Sequence, residues 1–191
     1  MKVIGLTGNM GCGKSTVAGM LRERGLAIIE ADAVARQLRT NDDRVRRRIE
    51  ERFGTVDAAH LGSIVFSDRA ALADLEAIVH PPLRDEVRSR LAELEAAGIE
   101  AACIEAIKLL ESPLHDRCDE IWVVRCEESD AISRLASRGI DEATARARLA
   151  NQSPQAEKIA AADVVIDGSA APDETRRQVN AALDALLARP A

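Results

Sequence analysis

Short apolar segments alternate along the chain with longer segments in which apolar residues recur every three or four positions. The apolar segments predict strands near residues 2–7, 26–30, 101–105, 120–125 and 163–166. The longer segments predict helices near residues 14–24, 32–38, 42–53, 68–78, 82–97, 128–138, 141–150 and 173–188. Strands that alternate with helices are typical of an α/β fold, in which a parallel sheet is covered by helices on both faces.

The spacing of these elements also predicts how the chain is organised. A length of 191 residues is ordinary for a single domain. The segment between the second and third predicted strands is about 70 residues long and mostly helical, which is far more than one crossover needs. We therefore expect a core formed by residues 1–32 and 99–191 and a helical lobe formed by residues 33–98.

The first predicted strand runs directly into a G-x-x-x-x-G-K-[ST] motif, and a predicted helix follows it. This strand–loop–helix context indicates a phosphate-binding loop, or P-loop, because its glycines let successive backbone N–H groups turn toward phosphate oxygens at a helix N-terminus. Lys14 is expected to reach the β and γ phosphates of ATP, and the Ser15 hydroxyl is expected to bind Mg²⁺. A plain glycine-rich turn would need neither side chain. The predicted nucleotide-binding residues are Gly8, Asn9, Met10, Gly11, Cys12, Gly13, Lys14, Ser15 and Thr16.

Composition narrows the class of protein further. Aromatic residues make up 2% of the chain, so the core must be aliphatic and base stacking on aromatic side chains is not expected. The net charge of -6 argues against general nucleic-acid binding, since proteins that bind the phosphate backbone are normally basic. No apolar stretch approaches the roughly 18 residues of a membrane span, and the N-terminal segment reads as a core strand rather than a signal peptide. We expect a cytoplasmic protein that binds neither nucleic acid nor membrane.

The four cysteines, Cys12, Cys103, Cys118 and Cys126, show neither metal-type nor C-x-x-C spacing. We expect them to be reduced thiols. Cys12 lies inside the P-loop, where the helix N-terminus can lower its pKa and make it reactive. The alternative is that Cys12 is a small filler at a variable loop position.

Polar residues that follow the second predicted strand are candidates for catalysis, because ligands bind at the carboxyl ends of the strands in such sheets. Asp32 can accept a proton from an attacking hydroxyl group there. It can equally be the N-cap of the helix that follows. Spacing alone does not separate these two interpretations.

Two further groups of residues can contact a ligand. His80 precedes Pro81 between two predicted helices, and Arg84 follows one turn later. His80 can contact a ligand, or it can be a plain histidine packed between helices. Arg84 can bind an anion, or it can be a solvated charge on a helix. A glycine turn at Gly139 lies between helices that carry several arginines, which is typical of a mobile lid that brings positive charge to a transferring phosphoryl group. Those arginines are Arg134, Arg138, Arg146 and Arg148.

Together these segments resemble the dephospho-CoA kinase family. The resemblance extends from residue 2 to about residue 180. Besides the P-loop, it rests on an E-A-D-A-V-A-R segment similar to the family's D-A-D-x-I-A-R, on the H-P pair, and on the R-G pair followed by a glutamine. The matching segments are residues 4–16, 29–36, 53–54, 65–66, 75–81, 109–111, 134–139, 148–152 and 162–167.

The resemblance implies a P-loop nucleotide-kinase fold with a five-stranded parallel sheet flanked by helices, a helical substrate lobe and a lid at about residues 134–152. It implies ATP-dependent, Mg²⁺-assisted phosphorylation of the ribose 3′-hydroxyl of dephospho-CoA, the last step of coenzyme A synthesis, by a monomer or a small homo-oligomer. The resemblance implies that Asp32 is the general base and that Asp32, His80 and Arg84 contact the substrate. It implies that Lys14 and Arg138 stabilise the transferring phosphoryl group. Arg148 would contact the adenine side of the ATP site.

The chain departs from the family pattern at several positions. Glu30 replaces the first Asp of D-A-D, Lys108 stands where a proline is usual, and Gly168 replaces an asparagine. The loop after Gly54 is short, and Ala58 replaces an arginine in the predicted substrate lobe. The short loop and Ala58 lie in the predicted substrate lobe, so they concern how dephospho-CoA is held and not the phosphoryl-transfer residues. Two other functions stay open on the sequence: a nucleoside or nucleoside-monophosphate kinase, and a regulatory ATPase that binds a protein partner.

Overall fold

A five-stranded parallel sheet forms the centre of the molecule. The structure is a computed structural model that describes residues 1–189, apart from the side chain of Phe66. Its strands run in the order β2-β3-β1-β4-β5, so the first strand lies at the centre of the sheet. All five predicted strands are confirmed with shifts of at most about one residue, within the usual uncertainty of element ends. They are β1 Lys2–Thr7, β2 Ala27–Glu30, β3 Ala101–Glu105, β4 Glu120–Arg125 and β5 Val164–Asp167.

Strand β1 pairs in parallel with both β3 and β4, which places Ile4 beside Cys103 on one side and Glu120 on the other. Its residues from Val3 onward are buried, as expected for a strand covered on both faces. The core is aliphatic except for Trp122, whose indole N–H donates to Glu120 Oε2 at 2.8 Å. That hydrogen bond satisfies the polar atom that a buried tryptophan brings into a core.

The described residues form nine α-helices. They are α1 Lys14–Glu23, α2 Ala31–Asn41, α3 Asp43–Phe53, α4 Ala58–Ser67, α5 Arg69–Ala96, α6 Glu128–Ala136, α7 Glu142–Ala150, α8 Gln155–Ala160 and α9 Pro172–Leu187, with a 3₁₀ helix at Pro113–Arg117. The sequence predictions missed α4, α8 and the 3₁₀ helix. Helix α4 begins after Asp57, whose side chain accepts a hydrogen bond from the His60 N–H. This N-cap offsets the weak helix preference of Gly62 and Ile64.

Helix α5 is continuous, so the predicted break at residues 79–81 is wrong. Pro81 and Pro82 both lie inside the helix. A proline removes a backbone donor and normally ends or kinks a helix. Here buried apolar residues continue at helical spacing on both sides of the prolines, at Leu75, Val79, Leu83 and Val87 among others, and their packing outweighs the lost hydrogen bonds.

The chain forms two compact units. One consists of residues 1–29 and 94–191 and has its own apolar core around the sheet, with Val17 and Leu21 of α1 and Val179 and Leu183 of α9. The other consists of residues 30–93 and has a separate apolar cluster, which includes Val45, Ile49, Leu61, Leu75 and Ile78. Among the described residues, no helix is long and apolar enough to cross a membrane.

Candidate functional site

The loop between β1 and α1 has the backbone geometry of a phosphate-binding loop. Gly8, Gly11 and Gly13 have φ values of 144°, 82° and 102°, which residues with a side chain rarely adopt. The space around two of these glycines also excludes a side chain. A Cβ on Gly8 would overlap the carbonyl oxygen of Val124, and a Cβ on Gly11 would lie 2.7 Å from the carbonyl oxygen of Ala131. The glycines therefore let the loop pack closely against β4 and α6.

Lys14 is the first residue of α1 and is 8% exposed. Its ammonium group donates to the carbonyl oxygen of Gly8 at 2.9 Å and to that of Asn9 at 3.3 Å, which holds the positive charge inside the loop. Gly13, the N-cap of α1, has no side chain to satisfy the free N–H groups of the first helical turn. The result is a concentration of positive charge and backbone donors that suits an anion.

Asn9 carries a further sign that the loop is built around a ligand. Its side-chain oxygen is buried and, among the described residues, has no hydrogen-bond partner. Buried polar atoms in folded proteins are almost always satisfied by protein, water or a bound group. The glycine geometry, the held Lys14 ammonium and this unsatisfied atom together fit a nucleotide.

Arg134 of α6 ties two loops together at this edge of the sheet. Its guanidinium donates to the carbonyl oxygen of Gly11 at 3.2 Å and to that of Gly168 at 2.7 Å. Arg138, two residues beyond the end of α6, is exposed, and its guanidinium has no hydrogen bond or ion pair with any described residue. Of these two arginines, Arg138 is therefore the one whose charge is available.

Two glutamines after α7 support the loop, and the sequence predictions gave neither a structural role. Gln152 Oε1 accepts a hydrogen bond from the Met10 N–H at 3.0 Å. Gln155 bonds both backbone groups of Cys126, since its Oε1 accepts from the N–H and its Nε2 donates to the carbonyl, each at 3.0 Å. Gln152 belongs to the family-like R-x-x-x-Q segment, which was the available signal, whereas no sequence signal marked Gln155.

Cys12 and Cys126 form a disulfide, so the expectation of reduced thiols is wrong for these two residues. Their Cα atoms are 5.0 Å apart, within the usual range for a disulfide. Cys12 follows β1 and Cys126 follows the neighbouring parallel strand β4, which brings residues 114 positions apart to the same edge of the sheet. The disulfide also excludes the expectation of a reactive Cys12 thiol in this state.

The other two cysteines are free. Burial raises the pKa of the Cys118 thiol to about 12 and also raises that of Cys103. Neither is therefore a candidate nucleophile, because the thiolate is the reactive form.

A cavity of about 490 Å³ opens beside the loop. Its lining includes Asn9, Cys12, Gln152 and Arg146, and Arg146 forms ion pairs with Glu128 and Glu142. Arg148, which the resemblance assigned to the adenine side of the site, is exposed on α7 and is not among the residues that line this cavity.

The remaining candidates belong to the helical unit of residues 30–93. Asp32 is the second residue of α2, and the N-cap position is occupied by Glu30, so the interpretation of Asp32 as the N-cap is wrong. His80 and Arg84 are four residues apart within α5 and therefore share one face of that helix. His80 is half-buried and lies inside α5, whereas the sequence predicted it between two helices. Arg84 is exposed.

No group of three or more His, Cys, Asp or Glu side chains among the described residues is arranged to hold a metal ion. Ser15 is exposed in the first turn of α1, and its hydroxyl is chemically suited to Mg²⁺, which prefers oxygen ligands.

Comparisons with known proteins agree over nearly the whole chain. The family model described as "CoaE: Dephospho-CoA kinase" matches residues 2–174. A dephospho-CoA kinase of Geobacter sulfurreducens is 39% identical over 188 residues, which cover 94% of this chain and 95% of that relative. Among solved structures, a protein from Thermus thermophilus matches with a TM-score of 0.84 at 32% identity over 97% of each chain. A dephospho-CoA kinase from Campylobacter jejuni matches with a TM-score of 0.68 at 25% identity over 96% of each chain.

Proposed function

This chain belongs to the dephospho-CoA kinase family, and we propose that it transfers the γ-phosphoryl group of ATP to the ribose 3′-hydroxyl of dephospho-CoA. The products are coenzyme A and ADP, and the reaction is the last step of coenzyme A synthesis. The observation that carries this proposal is a complete phosphate-binding loop, with Lys14 held inside it, at the carboxyl edge of a five-stranded parallel sheet in a chain of this family.

The donor side of the reaction is assigned to the loop. The backbone N–H groups at the start of α1 bind the β and γ phosphates of ATP, and Lys14 neutralises part of their charge. The Ser15 hydroxyl would hold a Mg²⁺ ion, which would offset the negative charge of the phosphates. Asn9, Met10, Cys12 and Thr16 complete the loop, and Arg148 contacts the adenine side.

The acceptor side is assigned to the helical residues at about 33–98 and to Asp32. Asp32 orients the 3′-hydroxyl and accepts its proton as the oxygen attacks the γ-phosphorus. The P–O bond to ADP breaks in the same displacement, so no covalent enzyme intermediate is needed. His80 and Arg84 contact the substrate.

The lid is assigned to residues at about 134–152. Arg138 supplies positive charge to the phosphoryl group as the lid closes and excludes water. The availability of its guanidinium supports this role, because Arg134 is bonded to backbone carbonyls. Catalysis then consists of positioning and electrostatic stabilisation. We place the enzyme in the cytoplasm, as a monomer or small homo-oligomer that acts on a small molecule and on neither nucleic acid nor membrane.

The test is ADP production by the purified protein with ATP and Mg²⁺ in the presence of dephospho-CoA, adenosine, nucleoside monophosphates or no acceptor. Formation of ADP with dephospho-CoA alone, matched by equal formation of coenzyme A, supports the proposal. Formation of ADP with another acceptor would replace it with a nucleoside or nucleoside-monophosphate kinase. Equal ADP formation without acceptor would replace it with a regulatory ATPase.

A further inference from the structure

A second cavity, of about 620 Å³, lies entirely within the helical unit of residues 30–93. Three arginines contribute to its lining, Arg36 and Arg39 from α2 and Arg46 from α3. Another part of the lining is apolar and comes from residues of α3, α4 and α5. These are Ile49, Leu61, Val65 and Leu75.

The positive charge at this cavity is not neutralised by ion pairs among the described residues. Other arginines of the unit form the ion pairs, such as Arg52 with Asp74 at 2.6 Å and Arg90 with Glu86 at 2.8 Å. Among the residues that the structure describes, the three cavity arginines form no such pair. The one carboxylate in the lining, Asp57, is already engaged as the N-cap of α4.

The environment of Arg39 shows the effect of burial and of a neighbouring positive charge. Burial, followed by the nearby charge of Arg36, lowers the pKa of the Arg39 guanidinium, and the charge of Asp32 acts in the opposite direction. Arg39 is half-buried, whereas Arg36 and Arg46 are exposed at the cavity. Three positive charges at one cavity favour the binding of an anion, since the anion offsets their mutual repulsion.

The cavity arginines and the proposed base share one face of helix α2. Asp32, Arg36 and Arg39 are spaced i, i+4 and i+7, and the electrostatic interaction between Asp32 and Arg39 agrees with a common face. With a rise of 1.5 Å per residue, Arg36 lies about 6 Å and Arg39 about 10 Å beyond Asp32 along the helix axis. A ligand with a reactive hydroxyl at Asp32 would place groups a few bonds further along beside the arginines.

Dephospho-CoA has this arrangement of groups. Its ribose 3′-hydroxyl is only a few bonds from the 5′-diphosphate, and beyond the diphosphate the molecule continues as a long, less polar arm. Guanidinium groups bind phosphate oxygens in a bidentate manner, and the apolar part of the lining suits the arm. The family pattern places an arginine at position 58, whereas this chain has Ala58 in the cavity lining, so positive charge here must come from other residues.

We propose that Arg36, Arg39 and Arg46 form the binding site for the diphosphate of dephospho-CoA, with its 3′-hydroxyl at Asp32. This inference rests on the proposed function and adds to it the residues that select the acceptor. It assigns the site to side chains of α2 and α3 that compensate for the absence of an arginine at position 58.

The experiment compares Arg39→Gln, Arg46→Gln and the double variant with Arg47→Gln as a matched control. Arg47 is also exposed on α3, but it does not line the cavity, and its Nε donates to the Asp43 carbonyl. Steady-state kinetics are measured with dephospho-CoA varied at saturating ATP, and with ATP varied at saturating dephospho-CoA. Binding of dephospho-CoA without ATP is measured separately by calorimetry, and Arg39→Lys tests for partial rescue.

We expect KM for dephospho-CoA to rise about 10- to 100-fold in each cavity variant, because a hydrogen-bonded charge pair is lost. KM for ATP and kcat at saturating dephospho-CoA should change less than about twofold, which also shows that the variants are folded. Arg47→Gln should match the wild type. Equal effects of the cavity variants and Arg47→Gln, or an unchanged KM for dephospho-CoA in the cavity variants, would overturn the inference.

The calorimetric measurement separates this inference from the proposed function. A wild-type protein that phosphorylates dephospho-CoA while the cavity variants bind it normally would leave the function intact and reject the diphosphate site. A wild-type protein that binds dephospho-CoA without phosphorylating it, with binding weakened in Arg39→Gln and Arg46→Gln, would reject the function and retain the site. Absence of binding in the wild type would reject both.

Discussion

The guanidinium of Arg134 donates a hydrogen bond to the carbonyl oxygen of Gly168 at 2.7 Å. A second bond from the same group reaches Gly11 in the phosphate-binding loop. Arg134 therefore links the loop after β1 to the loop after β5, and its donors hold backbone rather than ligand. This relationship separates Arg134, which holds backbone, from Arg138, to which the proposed function assigns the phosphoryl group.

We expect Arg138→Ala and Arg134→Ala to have different effects. Loss of a donor that stabilises developing charge lowers kcat by about 10²–10³-fold, so Arg138→Ala should show that loss with little change in KM for ATP. Arg134→Ala should instead lower the free energy of unfolding by about 1–3 kcal/mol, because two carbonyls lose their donor, and should raise KM for ATP. Steady-state kinetics and chemical denaturation of both variants check this, and the reverse pattern would exchange the two roles.

Lys14→Ala should lower kcat by at least about 10²–10³-fold, because Lys14 is the charge that the loop holds for the phosphates. The control is Lys2→Ala, a lysine at the opposite end of β1. The measurement is the turnover of both variants at saturating ATP. Near-normal turnover of Lys14→Ala would show that this loop does not bind the transferring phosphates.

Asp32→Asn should still bind ATP but should turn over poorly, since the amide cannot accept the proton of the 3′-hydroxyl. Asp43→Asn is the matched control, because Asp43 likewise lies in the first turn of a helix of the same unit. ATP binding by calorimetry and kcat with dephospho-CoA are measured for both. Equal turnover of the two variants would remove Asp32 from its role as the base.

The disulfide between Cys12 and Cys126 should stabilise the sheet unit. Cross-links that close loops of this length typically add about 2–4 kcal/mol to the free energy of unfolding, so a reductant should lower the denaturation midpoint. Cys12→Ser should remove that dependence on reductant. Thiol titration of the denatured, unreduced protein should detect only Cys103 and Cys118, and detection of all four thiols would contradict the cross-link.

Gly168→Asn, which restores the residue of the family pattern, should destabilise this protein. A Cβ at position 168 would overlap the carbonyl oxygen of Cys12, and relieving such a clash typically costs about 1–3 kcal/mol. Gly19→Ala is the control, because a Cβ there has nothing within 4 Å and alanine favours the helix α1. Thermal melts of both variants should shift in opposite directions, and an unchanged melt for Gly168→Asn would contradict the close approach.

The sequence was sufficient to predict the strands, the fold class and the enzyme family, all of which are confirmed. Those features depend on local pattern, namely apolar segments at the strands and a motif of fixed spacing at Gly8–Ser15. The continuity of α5 through Pro81 was not predictable in this way, because it depends on packing by residues on both sides of the proline. The disulfide was missed for a similar reason, since its partners are 114 residues apart and meet only when β1 and β4 become neighbours.

The candidate site shows the same difference between features that depend on local sequence pattern and features that depend on packing. The conformation of the loop could be predicted from its motif, whereas the support from Gln155 and the difference between Arg134 and Arg138 depend on three-dimensional packing. The cavity arginines of α2 and α3 were visible in the sequence only as charges on helices, which are usually solvated. Their common cavity arises from the packing of α2, α3 and α4 within one unit.

The strand order has a consequence for the growing chain on the ribosome. Strand β1 is synthesised first but lies at the centre of the sheet, and its neighbours β3 and β4 begin only at Ala101 and Glu120. At about 5–20 residues per second, β1 must wait several seconds for a pairing partner. Residues 30–93, which carry their own apolar cluster, are complete before then. The order of translation thus makes the helices of residues 30–93 available to fold first, and the sheet is completed last.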